Sequence, residues 1–416
     1  MAVILERSQI APAQGSAREF SLPIVFFDMV WYGFPANQRV LFFEFPCSKS
    51  QFLETFISEL KCSLSFTLSQ FLPLVGNIIH PLKPGSKPVL RYECGDLVSF
   101  TVSESTADFN YLTGNHPRDC DEFYTFAPHL PPATYSENFV SCPILALQVT
   151  LFPGQGLCIG FVTHHVVADA STIVSFMQAW ALINRSKPNG ADNIREILAE
   201  ANLLPFYNRK AVTNLNGLDL IYWDIIVNYS CPVEPPTLVF SINKLRATLV
   251  LKKEEIQKLK NLVLAKCASI SHLSSFTIIC ALTWVCWAKT TTLCGEDVAD
   301  GSDGIIMAAK AIGDAIKETI FSERGILYGA EKWPNDCRKL VETRQYGPVG
   351  SPRFDFYAVD YGWGKPKKFE ELCIDGGGCF SVCKSRDFEG GLEIGLSKSR
   401  VQMDAFITVF KDVLDG

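Results

Sequence analysis

Thr163-His164-His165-Val166-Val167-Ala168-Asp169-Ala170 joins an apolar run, 157–163, to a segment from Ala170 to Leu182 whose apolar residues recur at helical spacing. A second apolar run, 144–151, precedes the first, and Pro153-Gly154-Gln155-Gly156 separates the two. Two strand-like runs around a Pro/Gly turn predict a hairpin, and a loop at a strand end presents its side chains to a cleft. Histidine is the side chain whose ordinary pKa lets it take and return a proton near neutrality. Asp169, four residues beyond His165, either orients the imidazole or turns away and braces the loop. A single histidine at a strand end could be a satisfied structural residue. The paired His164, the spacing to Asp169 and the further motif matches given below together favour proton transfer by His165 instead.

Working outward, strands alternate with helices. Towards the N-terminus, Val40–Phe45 reads as a strand and Phe52–Leu64 as a helix, with Val89–Tyr92 and Leu97–Val102 as further strands. Residues 184–236 show no sustained period and read as a crossover. Beyond it lie a strand at Ala247–Leu251, an amphipathic helix with Ile256, Leu259, Leu262 and Val263 on one face, and a buried run at 273–288. A helix at 305–320, strand candidates near 354–359 and 391–397 and a helix from Val401 to Val413 complete the chain. The expected division is a domain over 1–185, a crossover linker over 186–236 and a second domain over 237–416. One echo links the halves, since Gly156-Leu157-Cys158-Ile159-Gly160 and Gly391-Leu392-Glu393-Ile394-Gly395 share G-L-x-I-G.

The bulk properties restrict function. With 416 residues, 48% of them hydrophobic and 20% charged, the chain can bury a large core. Domains of roughly 100–200 residues predict two of them. A net charge of -6 without a basic field argues against a nucleic-acid partner. The 15 cysteines form no CxxC pair and sit mostly in apolar runs, which fits reduced thiols in a cytoplasmic protein rather than a disulfide framework or a zinc site. Met1 to Ala17 lacks an apolar segment of signal length. The longest greasy stretch, Phe276 to Ala288, has 13 residues where a membrane span needs about 20. No membrane, metal or nucleic-acid partner is expected, and the chain is expected to be a monomer. A serine hydrolase is excluded for want of a GxSxG elbow.

His165 and Asp169 match the HxxxD motif of the BAHD plant acyltransferases, which the chain resembles. Their DFGWG signature appears as Asp360-Tyr361-Gly362-Trp363-Gly364, with Tyr for Phe. Further matches run through both halves: Leu22-Pro23 with Phe27-Asp28, Phe71-Leu72-Pro73-Leu74-Val75-Gly76-Asn77, Pro205-Phe206-Tyr207-Asn208-Arg209 and Leu273-Ser274-Ser275-Phe276. HxxxD alone is weakly specific, but with DYGWG and these flanks in order the resemblance is strong. It is nearest to the anthocyanin, flavonoid and phenolic-glucoside malonyl or hydroxycinnamoyl transferases.

The resemblance implies an α/β (α+β) fold of the two-domain coenzyme A-dependent acyltransferase kind, like chloramphenicol acetyltransferase, with mixed sheets flanked by helices and an active-site channel between domains. It implies His165 as the general base for an acceptor hydroxyl that attacks an acyl-CoA thioester without an acyl-enzyme. Malonyl-CoA or hydroxycinnamoyl-CoA would be the co-substrate, a phenolic or flavonoid glycoside the acceptor, and no cofactor would be bound permanently. Asp169 is expected to brace the loop more than relay a proton. In Asp360 to Gly364 the two glycines suit a tight turn and Trp363 a packing surface, so Asp360, Gly362, Trp363 and Gly364 are expected to be structural. For the donor, Ser274 and Ser275 open a buried helix whose first N–H groups suit a phosphate or pantetheine carbonyl. Lys258 and Lys260 lie just upstream, with a solvated lysine face as the alternative.

The pattern breaks at one place. Between Lys289 and Ile305 the family carries strands, a D-x-R segment and YFGN, and this chain has only Thr290 to Gly304. The alternative is therefore a catalytically impaired paralogue, or a splice or gene-model variant lacking part of the C-terminal domain.

Overall fold

The structure, a computed structural model, describes the chain except for residues 1, 16–17, 84, 189–192, 213, 215–216, 229–233, 235–242, 268–269, 271, 293–300, 343–345 and 416. The chain forms two compact units, and neither is continuous in sequence. The first comprises Met1–Gly114, Glu122–Val239 and Asp355–Cys373, the second Asn115–Asp121, Phe240–Phe354 and Ile374–Gly416. The expected cuts at 185 and 237 differ from this division. The strand Lys368–Glu371, late in sequence, pairs with Asn37–Glu44 of the first unit, and the short strand Arg118–Asp119 pairs with Lys244–Leu251 of the second.

The first unit is built on a six-stranded mixed sheet in the order Ala2–Ile10, Val98–Ser105, Leu145–Phe152, Gly156–Thr163, Asn37–Glu44 and Lys368–Glu371. Only the pair Val98–Ser105 and Leu145–Phe152 is parallel. The hairpin Leu145–Phe152/Gly156–Thr163 occupies the centre, in register Phe152 opposite Gly156. All 16 of its strand residues are buried. Burial on both faces explains near-continuous apolar runs instead of alternation. Two of its polar side chains are paired, since Thr150 and Ser103 share a hydrogen bond of 2.7 Å between hydroxyls and Gln148 donates to the Thr125 carbonyl at 2.8 Å, whereas the buried Thr163 hydroxyl has no hydrogen-bond partner among the described residues.

An aromatic cluster of Phe42, Phe109, Phe123, Phe126 and Phe152 packs with Leu372. Helix Ala170–Ser186 packs against helix Ile57–Leu68, and its buried Trp180 donates Nε1–H to the Leu60 carbonyl at 3.1 Å. A second sheet, of five strands, runs Phe20–Pro23, Val89–Tyr92, Asn77–Pro81, Phe139–Pro143 and Thr134–Tyr135.

In the second unit a five-stranded sheet runs Gly347–Val349, Cys379–Lys384, Leu392–Ser399, Lys244–Leu251 and Arg118–Asp119. Helices Lys253–Lys266, Ser275–Thr292, Gly301–Ile320 and Arg400–Asp415 accompany it, and one apolar core draws on the sheet and these helices. The G-L-x-I-G echo has a packing reason in each unit. A Cβ on Gly160 would collide with the Phe126 carbonyl, and one on Gly395 with the Ser381 hydroxyl.

Three expectations need correction. Residues near 354–359 form a 3-10 turn, Phe356–Ala358, and no strand. The crossover is not featureless, since it carries helices Ile194–Glu200 and Leu218–Asn228. The helix expected over Phe52–Leu64 begins earlier, at Lys49, passes through a π-helical turn at Phe52–Phe56 and runs to Leu68. The edge strand Ala2–Ile10 and the charged strand Lys368–Glu371 were not foreseen. Among the described residues no helix is long and apolar enough to cross a membrane, the cysteines are free thiols, and no cluster of histidine, cysteine and carboxylates could hold a metal ion.

Candidate active site

The strand Gly156–Thr163 ends at Thr163, and the His164 amide donates to the Ile144 carbonyl at 2.8 Å, so the hairpin closes beneath the turn that follows. The two histidines of that turn differ. His164 is 1% exposed, and its Nδ1 accepts the Val166 amide at 3.3 Å. Burial, with a smaller contribution from His165, pushes its pKa down to about 4. It is a neutral structural lock.

His165 keeps part of its surface open. Its ring stacks flat on Trp31, centroids 4.0 Å apart and planes 1° from parallel. Its buried Nδ1 has no hydrogen-bond partner on another residue among the described ones. Burial is the main cause lowering the His165 pKa below 6.5. Its own main chain opposes this, the Arg39 guanidinium adds to it, and Asp169 opposes it weakly. A depressed pKa keeps the imidazole unprotonated at neutral pH, the form a base requires.

Asp169 caps the helix. Its Oδ1 accepts the Thr172 amide at 2.8 Å and its carbonyl accepts the Ile173 amide, so helix Ala170–Ser186 starts where the turn ends.

Arg39, on the strand next to Gly156–Thr163, lies opposite Phe161. Its Nε meets Glu371 Oε2 at 2.5 Å, with both side chains about 95% buried. Its guanidinium also lies over the Phe356 ring, 5.8 Å from the centroid. Neither Trp31 nor the Arg39–Glu371 pair was anticipated. Trp31 sits in an irregular turn with no periodic signal. A cation beside the run Val40-Leu41-Phe42-Phe43 was the one available clue to Arg39.

Asp360 to Gly364 form a turn within the same unit as His165. Asp360 Oδ1 accepts the amides of Gly362 at 2.8 Å and Gly364 at 3.0 Å, and Arg185 approaches its other oxygen at 3.4 Å. Gly362 and Gly364 have φ of 98° and 91°, where a side chain is strained. The Trp363 indole lies on Phe45 at 5.2 Å. Every one of these contacts is a packing or turn contact.

The four residues expected at the donor lie in the second unit. Ser274 caps helix Ser275–Thr292, its Oγ accepting the Thr277 amide at 3.0 Å. Lys260 donates to the Ser275 hydroxyl at 3.0 Å, so these two come together, whereas Lys258 donates to the Leu414 carbonyl at 3.1 Å. In the first unit a cavity of about 300 Å³ is lined by Val167, Ser171, Thr172, Ser175 and Arg209 beside apolar side chains. It contains no histidine or carboxylate and offers no general base.

A sequence model of the Transferase family matches residues 1–301. The chain is 36% identical to the malonyl-coenzyme:anthocyanin 5-O-glucoside-6'''-O-malonyltransferase of Salvia splendens, over 98% of this chain and 94% of that one. It is 37% identical to phenolic glucoside malonyltransferase 1 of Nicotiana tabacum over 90% of each. The first alignment spans 447 residues against the 416 of this chain, so the relative has positions without a counterpart here. Among solved structures the fold is similar to vinorine synthase, at 17% identity over 97% of this chain and 96% of that one with a TM-score of 0.65. It is also similar to F. graminearum TRI101 complexed with ethyl coenzyme A, at 13% identity over 93% and 96% with a TM-score of 0.58.

Proposed function

Because this chain belongs to the Transferase family, that of the BAHD acyltransferases, it is an acyltransferase, and we propose that it moves a malonyl or hydroxycinnamoyl group from coenzyme A to a hydroxyl of a phenolic or flavonoid glycoside. His165 is the general base. It accepts the acceptor's hydroxyl proton as the oxygen attacks the thioester carbonyl. The tetrahedral intermediate collapses by breaking the C–S bond, and the imidazolium returns its proton to the departing thiolate. Such a base contributes about 10²–10⁴ in rate, with positioning of the two substrates supplying much of the remainder. Asp169 acts through the helix it caps.

The observation that carries this reading is a partly open imidazole, kept neutral by burial, at the end of the central strand. Malonyl-CoA and coumaroyl-CoA are the donors to try, since relatives are named for both. Purified protein incubated with each donor and a set of phenolic and anthocyanin glucosides should form ester and release free thiol. Turnover unaffected in His165→Ala would remove the assignment. Ser274, Ser275, Lys258 and Lys260 are proposed for the donor. In that role Ser275→Ala and Lys260→Ala raise the KM for acyl-CoA more than the KM for the acceptor.

A second reading is supported by the length of the alignment to the Salvia relative. If the absent positions fall between Lys289 and Ile305, the chain is an impaired paralogue or a transcript variant. Coenzyme A binding without turnover by any donor and acceptor pair would favour it, and sequencing the transcript across codons 289–305 would decide the variant.

A further inference from the structure

We propose that Trp31 is the positioning residue that fixes the plane of the His165 imidazole, a task that histidine bases commonly give to a hydrogen-bonded carboxylate. The proposal rests on His165 being the base.

Three observations converge on it. The only carboxylate at the motif's spacing, Asp169, is committed to the Thr172 amide, so it caps a helix rather than holding the ring. The ring nitrogen that an orienting group would engage, Nδ1, is buried and has no such partner among the described residues. The indole lies parallel to the imidazole at 4.0 Å. The χ2 torsion of histidine is broad, so an imidazole with a free Nδ1 can swing. A flat neighbour at contact distance stops that swing, because turning the ring drives its edge into the indole.

The clamp is itself anchored. The Trp31 amide donates to the Asp28 carbonyl at 3.0 Å, and the Trp31 carbonyl accepts the Phe34 amide at 3.1 Å. The Phe34 ring meets the indole edge-on at 5.2 Å. Asp28 is tied to Arg209 at 3.1 Å and to the Val25 amide at 2.9 Å, and the Phe26 amide donates to Asp219 at 2.7 Å. The Pro205 to Arg209 segment thus braces the turn that carries Trp31. Stacking also suits the imidazolium formed in the reaction, since a cation over an indole face is attracted to it. The charged and titratable groups acting on the imidazole are Arg39, Asp169 and His164.

The test compares Trp31→Leu, Trp31→Phe and His165→Gln with the unaltered protein. Loss of the clamp should lower kcat of Trp31→Leu by about tenfold to a hundredfold with the KM for acyl-CoA held, and Trp31→Phe should recover most of it. Trp31 emission, taken as the difference between the unaltered protein and Trp31→Phe, should change as the pH falls below 6.5, and His165→Gln should abolish that change. Trp31→Leu at full kcat while His165→Gln is inactive would overturn the clamp, as would a pH-dependent Trp31 emission that persists in His165→Gln. Full turnover by His165→Gln would instead remove the base, and the emission would still report whether the rings stack. Should Trp31→Leu not fold, Trp31→Phe and the emission titration decide.

Discussion

Arg39 and Glu371, 332 residues apart in sequence, face each other on adjacent antiparallel strands and join Nε to Oε2 at 2.5 Å with almost no solvent contact. A buried ion pair differs little in stability from an apolar pair of the same size, but removing one partner strands a charge. Arg39→Met or Glu371→Leu alone should therefore cost about 3–5 kcal/mol, and Arg39→Met/Glu371→Leu together far less than the sum. Denaturant unfolding of the three variants checks this, and additive losses would contradict it.

The same guanidinium acts on the proposed base. Burial first, and Arg39 after it, lower the His165 pKa below 6.5. The acid limb of kcat/KM should therefore have its midpoint below pH 6.5. In Arg39→Met/Glu371→Leu, without the positive charge, the limb should move to higher pH. A midpoint at or above 6.5 in the unaltered enzyme would contradict the burial of the ring.

His164 governs stability rather than rate. Its folded pKa of about 4 lies below an unfolded value near 6.5, so between these pH values the unfolded chain binds a proton that the folded chain does not. Stability from this group is complete above pH 6.5 and falls with pH to about 4, by an amount on the order of 3 kcal/mol. His164→Asn can still accept the Val166 amide and has no proton to bind. Its unfolding free energy should decline less than that of the unaltered protein between pH 6.5 and 4.5. Equal declines would show that His164 is not buried neutral.

Asp169→Asn and Asp169→Ala separate capping from charge. Asparagine caps as well as aspartate, whereas alanine should cost about 1 kcal/mol. Because Asp169 raises the His165 pKa, Asp169→Asn should shift the acid limb slightly downward while keeping most of kcat. A thousandfold loss of kcat in Asp169→Asn would make the carboxylate a participant in proton transfer.

The central hairpin was legible because its strands are buried on both faces, and such strands appear as unbroken apolar runs beside a Pro/Gly turn. HxxxD and DYGWG identified the family, and the histidine's residue type pointed to the proposed proton transfer. Local sequence could not reveal elements whose stability comes from distant partners. Lys368-Phe369-Glu370-Glu371 looks like a solvated charged segment, yet all four residues are buried as a strand, because Glu371 meets Arg39 and Lys368 lies 4.0 Å from Glu370. Residues 354–359 have a strand's composition, yet Phe356–Ala358 curls into a 3-10 turn whose Phe356 ring stacks on Phe369 at 4.1 Å.

By itself, then, the sequence determined the central hairpin and the family, and it singled out the histidine proposed as the base. Tertiary structure alone decided that His164 is sealed and His165 partly open, that Asp169 caps a helix, that Trp31 stacks on the imidazole and that the Arg39 charge acts on it. Apolar periodicity and motif spacing are properties of neighbouring residues, whereas the burial and orientation of a ring depend on groups brought to it from elsewhere in the chain.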